Sequence, residues 1–82
     1  MARVAVDVML KHEILDPQGQ AVERALPALG FPHVSDVRVG KHVELTVDDA
    51  APGGVEHAAR RMAEALLANP VIEDFSIRIL DA

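Results

Sequence analysis

With 82 residues the chain has room for a single domain, 1–82, and a domain this small buries only about 60–65% of the surface its unfolded form exposes, so association would add stability it lacks. It has no cysteine, which removes disulfides and thiolate metal sites as extra support and fits a reducing, cytoplasmic setting. A net charge of −5 with no concentrated basic element argues against nucleic acid, whose phosphates need a cationic footprint.

Phe31 and Phe75 are the only aromatics apart from histidines, and both fall in segments that read as core, so stacking platforms for bases are missing. No apolar run approaches membrane-spanning length, and Met1 to Val4 leads directly into an alternating pattern without a signal segment. A soluble, unprocessed chain is expected.

Val4, Val6, Val8 and Leu10 alternate with Ala5, Asp7, Met9 and Lys11, the period of a half-buried first strand. Asp16-Pro17 then supplies a capping oxygen and a proline at the first helical position. Val22, Ala25, Leu26 and Leu29 make the apolar stripe of the first helix, and Gly30 stands where a left-handed end residue is wanted. Pro27 interrupts this helix and predicts a kink or an early last turn.

Val34 to Val39 reads as the second strand, and Val43, Leu45 and Val47 as the third. The link Gly40-Lys41 suits a type II′ hairpin. Asp48 to Gly54 is loop. Val55, Ala58, Ala59, Met62, Ala65 and Leu66 form the stripe of a second helix, closed by Asn69-Pro70, and Phe75, Ile77 and Ile79 give the fourth strand.

Leu29, Pro32, Val34, Asp36, Val37 and Val39 are echoed at constant offset by Leu67, Pro70, Ile72, Asp74, Phe75 and Ile77, which suggests two βαβ halves. Two right-handed crossovers joined by a hairpin predict an α+β, ferredoxin-like βαββαβ sandwich with a four-stranded antiparallel sheet and both helices on one face. The opposite face would carry Ala5, Asp7, Met9 and Lys11, His42, Glu44 and Thr46, and Ser76, Arg78 and Leu80. Ala5, Met9 and Leu80 supply apolar surface for self-association there, against the alternative of an ordinary solvated face.

Catalytic chemistry is not legible. Ser35, Thr46 and Ser76, the only hydroxyl side chains, lie in strands without a telling motif. His12, His33, His42 and His57 fall in different elements without ligand spacing, so no metal site is expected. Gly53-Gly54 precedes a helix, but no Lys-Ser/Thr follows to complete a phosphate loop. Asp48-Asp49 reads as a solvated loop pair in preference to a cation site, and Glu73-Asp74 as the approach to the fourth strand in preference to a contact with a basic partner.

Three segments in combination, Leu15-Asp16-Pro17-Gln18-Gly19, Val37-Arg38-Val39-Gly40-Lys41 and the run from Leu66 to Phe75, resemble PurS, the small subunit of multi-subunit phosphoribosylformylglycinamidine synthase. The similarity covers essentially the whole chain. It implies a complex in which a glutaminase subunit releases ammonia and an ATP- and magnesium-dependent synthetase subunit uses it. The PurS-like chain would be a non-catalytic adaptor, a homodimer docking glutaminase on synthetase and supporting ammonia transfer from glutamine. On that expectation Gln18, Arg38, Gly40 and Lys41 are the partner contacts, although Asp16, Pro17 and Gly40 also have local explanations as cap, first helical residue and turn glycine.

The rival reading is a small-molecule-sensing regulatory domain of the same topology, with Gly19 imitating its ligand loop. An acylphosphatase-like hydrolase would need a glycine-rich, arginine-bearing phosphate loop that this sequence lacks.

Overall fold

In the computed structural model, which describes residues 1–80, three strands form one antiparallel sheet. They are β1 (Ala2–Leu10), β2 (Lys41–Val47) and β3 (Glu73–Leu80), in the order β2-β1-β3. Helix α1 spans Pro17–Ala25 and helix α2 spans Val55–Met62. The α+β class and the two helices therefore match expectation.

Alternation along β1 sorts its side chains. Val4 pairs with Leu45 and Ile79, and Val6 with Val43 and Ile77, so the three strands point their branched residues to one face. Val4, Val6 and Val8 are essentially inaccessible, and α2 and the turn that continues it close over them with the small residues Ala59 and Ala63. Alanines let the helix backbone approach the sheet closely, and the valines supply the apolar area that drives burial. After Met62 the helix widens into a π turn over Ala63–Leu67, where the Ala68 amide donates to the Ala63 carbonyl.

Proline and glycine shape the end of α1 as their chemistry requires. The α-helix stops at Ala25, a 3-10 turn covers Pro27–Leu29, and Gly30 takes a left-handed φ of 97°.

Two expectations need correction. The segment 34–39 is not a strand, and no Gly40-Lys41 hairpin links it to β2. The valines at 34, 37 and 39 break period-two alternation, and Asp36 adopts a positive φ of 56°, which ends any extended run. The two helices also do not share one sheet face: α2 packs on all three strands, whereas α1 packs chiefly against its own 3-10 continuation. Val22 and Leu29 on the α1 stripe remain exposed.

The outcome is an open shape of 50 × 29 × 14 Å with a radius of gyration of 16.1 Å. A compact domain of this length would have about 12 Å.

Candidate functional site

Asp16 is where the two family-like segments meet. One carboxylate oxygen accepts the Gly19 amide at 2.8 Å, the N-cap bond that starts α1, and the other accepts the Val39 amide at 2.7 Å. Asp16 is the single buried charged residue among those described, 4% exposed. The Gly19 amide first, then the Val39 amide, then the nearby Arg38 guanidinium hold its carboxyl below the usual carboxylate range. Burial of a charge is tolerable here because both oxygens are partnered.

Arg38 completes the junction from the other side. Its guanidinium donates to the carbonyls of Leu10, Lys11 and Ile14 at 3.2, 3.0 and 3.3 Å, and its Nε lies 4.0 Å from Asp16. These carbonyls belong to the end of β1 and the loop that follows, where the Lys11 carbonyl also accepts the Ile14 amide at 2.9 Å. All three carbonyls lie around one nitrogen, Nη2, while Nε of the same planar group faces Asp16, so a single side chain ties the loop to the buried carboxylate. Glu23 on α1 adds a third tie by accepting the Val37 amide at 3.1 Å.

Two glycines permit this closeness. A Cβ on Gly19 would sit 2.2 Å from the Val37 carbonyl oxygen, and one on Gly40 would sit 2.3 Å from the Val8 carbonyl oxygen and 2.2 Å from Met9 Sδ. Gly40 is thus a close-packing glycine against β1, and its backbone is not the positive-φ turn anticipated from the sequence. Gly19 lies within α1, and the space its missing side chain leaves is taken by the chain itself, which removes the likeness to a sensor's ligand loop.

The predicted contact residues consequently divide. Arg38, 22% exposed at its side chain, turns inward, whereas Gly40 packs against β1 yet stays exposed and lines the same cavity as Gln18 and Lys41. Gln18 and Lys41 are exposed, and with Pro17 and Glu73 they rim a cavity of about 250 Å³ on one side of the junction. A second cavity of about 340 Å³ lies on the other side, lined by His12, Glu13, Glu23 and Asp36 among others. Among the described residues no cluster of His, Cys, Asp or Glu is arranged to hold a metal ion.

The set expected on the other sheet face is brought together there. Met9 is 39% exposed and Leu80 half-buried, but Ala5 is fully covered, lying between its cross-strand neighbours Glu44 and Arg78. Ala5 is a floor of that face and offers no contact area in the single chain. The acidic pairs have partners within the chain: Asp48 accepts the Ala50 amide at 2.9 Å, Asp49 faces the Met1 amino group, and Lys11 meets Asp74 at 2.8 Å.

Sequence reasoning missed the double use of Asp16, the Glu23 tie and the inward turn of Arg38. The only sequence signal for them is the broken alternation at 34–39, which says that the segment is not a ladder strand without saying what holds it.

Comparison with known proteins places the chain in a family. The family model described as PurS, phosphoribosylformylglycinamidine (FGAM) synthase, matches residues 3–81. The PurS subunit of phosphoribosylformylglycinamidine synthase from Mycobacterium leprae is 53% identical over 77 residues, covering 94% of each chain. The solved structure of Bacillus subtilis PurS superposes with a TM-score of 0.88 at 42% identity, covering 99% of this chain and 100% of that one. A structure of PurLQS from Thermotoga maritima contains a chain that matches with a TM-score of 0.86 at 30% identity, covering 96% of each. The chain belongs to the PurS family, subunits of the ligase phosphoribosylformylglycinamidine synthase in purine biosynthesis.

Proposed function

We propose that the chain is the adaptor of its synthase complex: without catalytic groups of its own, it docks the glutaminase subunit on the ATP-dependent synthetase in the cytoplasm and supports ammonia transfer between them. The observation that carries this reading is the unsaturated protomer. An 82-residue chain with a radius of gyration of 16.1 Å leaves Leu15, Val22, Leu29, Phe31, Leu66 and Val71 exposed, more apolar area than a free monomer favours. The Thermotoga maritima PurLQS structure, which contains a chain of the same fold, supports a multi-subunit setting.

Within that reading the chain pairs with a second copy, which covers apolar residues such as Val22 and Leu29 that the single chain leaves exposed. Met9 and Leu80 contribute to self-association across the open sheet face, with Ala5 beneath. Gln18 and Lys41 contact the other subunits from the rim of the junction that Asp16, Arg38 and Gly40 hold. ATP, magnesium and glutamine are used by the partners. Ammonia in water is protonated and lost, so the two active sites must be held in a fixed relation that excludes solvent, which suits a rigid junction.

The test is to reconstitute synthetase and glutaminase with and without this chain. Without it, the two should fail to co-elute and glutamine-dependent activity should collapse, while ammonia-dependent activity falls much less. Co-elution of the two in its absence would refute the adaptor role.

A further inference from the structure

The open sheet face carries a chain of charges that crosses all three strands. Arg78 on β3 donates to Asp7 Oδ2 on β1 at 3.0 Å. Asp7 Oδ1 lies 2.6 Å from His42 Nδ1 on β2, and His42 Nε2 lies 2.9 Å from Glu44 Oε2. Glu44 reaches back to Arg3 on β1 at 3.4 Å, and Arg3 also donates to Thr46 at 3.1 Å. Helix α2 packs on the other face, so the groups around His42 are Asp7 and Glu44 directly, with Arg78 and Arg3 behind them.

The imidazole is the member whose state is constrained by geometry. A neutral imidazole has one N–H and one lone pair, so it can donate to one carboxylate only. Here both ring nitrogens are within hydrogen-bonding distance of carboxylate oxygens. Two donations require the imidazolium, because a lone pair pointed at a second carboxylate would repel it.

We propose that His42 is a proton-controlled pin of the edge strand β2: doubly protonated, it bridges Asp7 and Glu44 and joins the three strands into one charged chain, and on losing its proton it releases one of the two carboxylates. The β2 strand has a ladder partner on one side only, so this lateral tie adds to the β1 pairing that otherwise holds it. Its contacts all lie within one protomer, on the sheet face that the proposed self-association also uses.

The electrostatics agree with the geometry. Hydrogen bonding to Asp7, then to Glu44, raises His42 above the ordinary imidazole value, and the same bonds lower both carboxyls. Because the folded value is raised, the stabilisation is complete below the unfolded value of 6.5 and disappears as pH rises through the folded value.

The experiment is an NMR titration of the His42 ring in the full chain, beside Asp7→Asn and Glu44→Gln, with melting temperature followed over the same pH range in wild type and His42→Gln. The expected results are a His42 midpoint above 6.5, lowered by each substitution, and a fall in melting temperature across that midpoint that His42→Gln lacks. A midpoint at or below 6.5, a midpoint that neither substitution moves, or an equal fall in His42→Gln would overturn the proposal. Should a carboxylate variant fail to fold, the wild-type midpoint and the His42→Gln comparison still decide.

Discussion

The sheet under α2 and the junction around Asp16 are held by different physics. In the first, Val4, Val6, Val8, Ala59 and Ala63 exclude water through apolar contact, and the polar backbone is satisfied by strand and helix ladders. In the second, backbone groups of the loop after β1, α1's start and segment 36–40 lie outside the ladders, and the side chains of Asp16, Glu23 and Arg38 partner several of them. The comparison teaches that a small chain can place a functional corner outside its core by substituting directed hydrogen bonds for burial. Among the described residues the first region buries no polar side chain. The second depends on a few.

The largest effect should come from Val6→Asp, which buries an unpaired carboxylate at the centre of the three-stranded sheet and costs about 4 kcal/mol or more. Circular dichroism should show an unfolded chain, and a folded variant would mean that the sheet is less sealed than the core suggests. Next, Gly40→Val forces side-chain atoms into the space held by the Val8 carbonyl and Met9 and should cost about 1–3 kcal/mol. Hydrogen exchange should rise around residues 36–41 far more than in β1, and uniform loss of protection would show that the two regions are one cooperative unit.

Acid separates the regions more gently. Asp16 has a depressed carboxyl, so its contribution is present above the unfolded value of 3.8 and is lost as pH falls through the lower folded value. Protection of the Gly19 and Val39 amides should then disappear while the Val4 and Val6 amides stay protected. Simultaneous loss would erase the distinction between the regions. The smallest effect on stability belongs to Lys41→Glu, which should shift unfolding by less than about 0.5 kcal/mol, as exposed substitutions do. Gel filtration with the partner subunits should nevertheless show weaker complex formation, and an unchanged complex would remove Lys41 from the contact surface.

The three strands that enter the sheet were legible because alternation of branched and polar residues is a local property, and the pairing Val6 with Val43 and Ile77 only brings the marked faces together. The open-face residues were legible for the same reason. Asp16 as a cap, the early end of α1 at Pro27 and the left-handed Gly30 followed from single-residue chemistry. The 34–39 strand was read from β-branched composition, and its broken alternation and the positive φ of Asp36 outweigh that propensity.

By itself, then, the sequence determined the element types, the faces of the sheet and, through segments specific in combination, the family. Only the tertiary structure decided that Arg38 turns inward, that Gly40 serves packing and that Asp16 holds Val39 as well as Gly19. Those roles depend on contacts between residues 23 or more positions apart, and such distances are set by the path of the whole chain, which local periodicity does not encode.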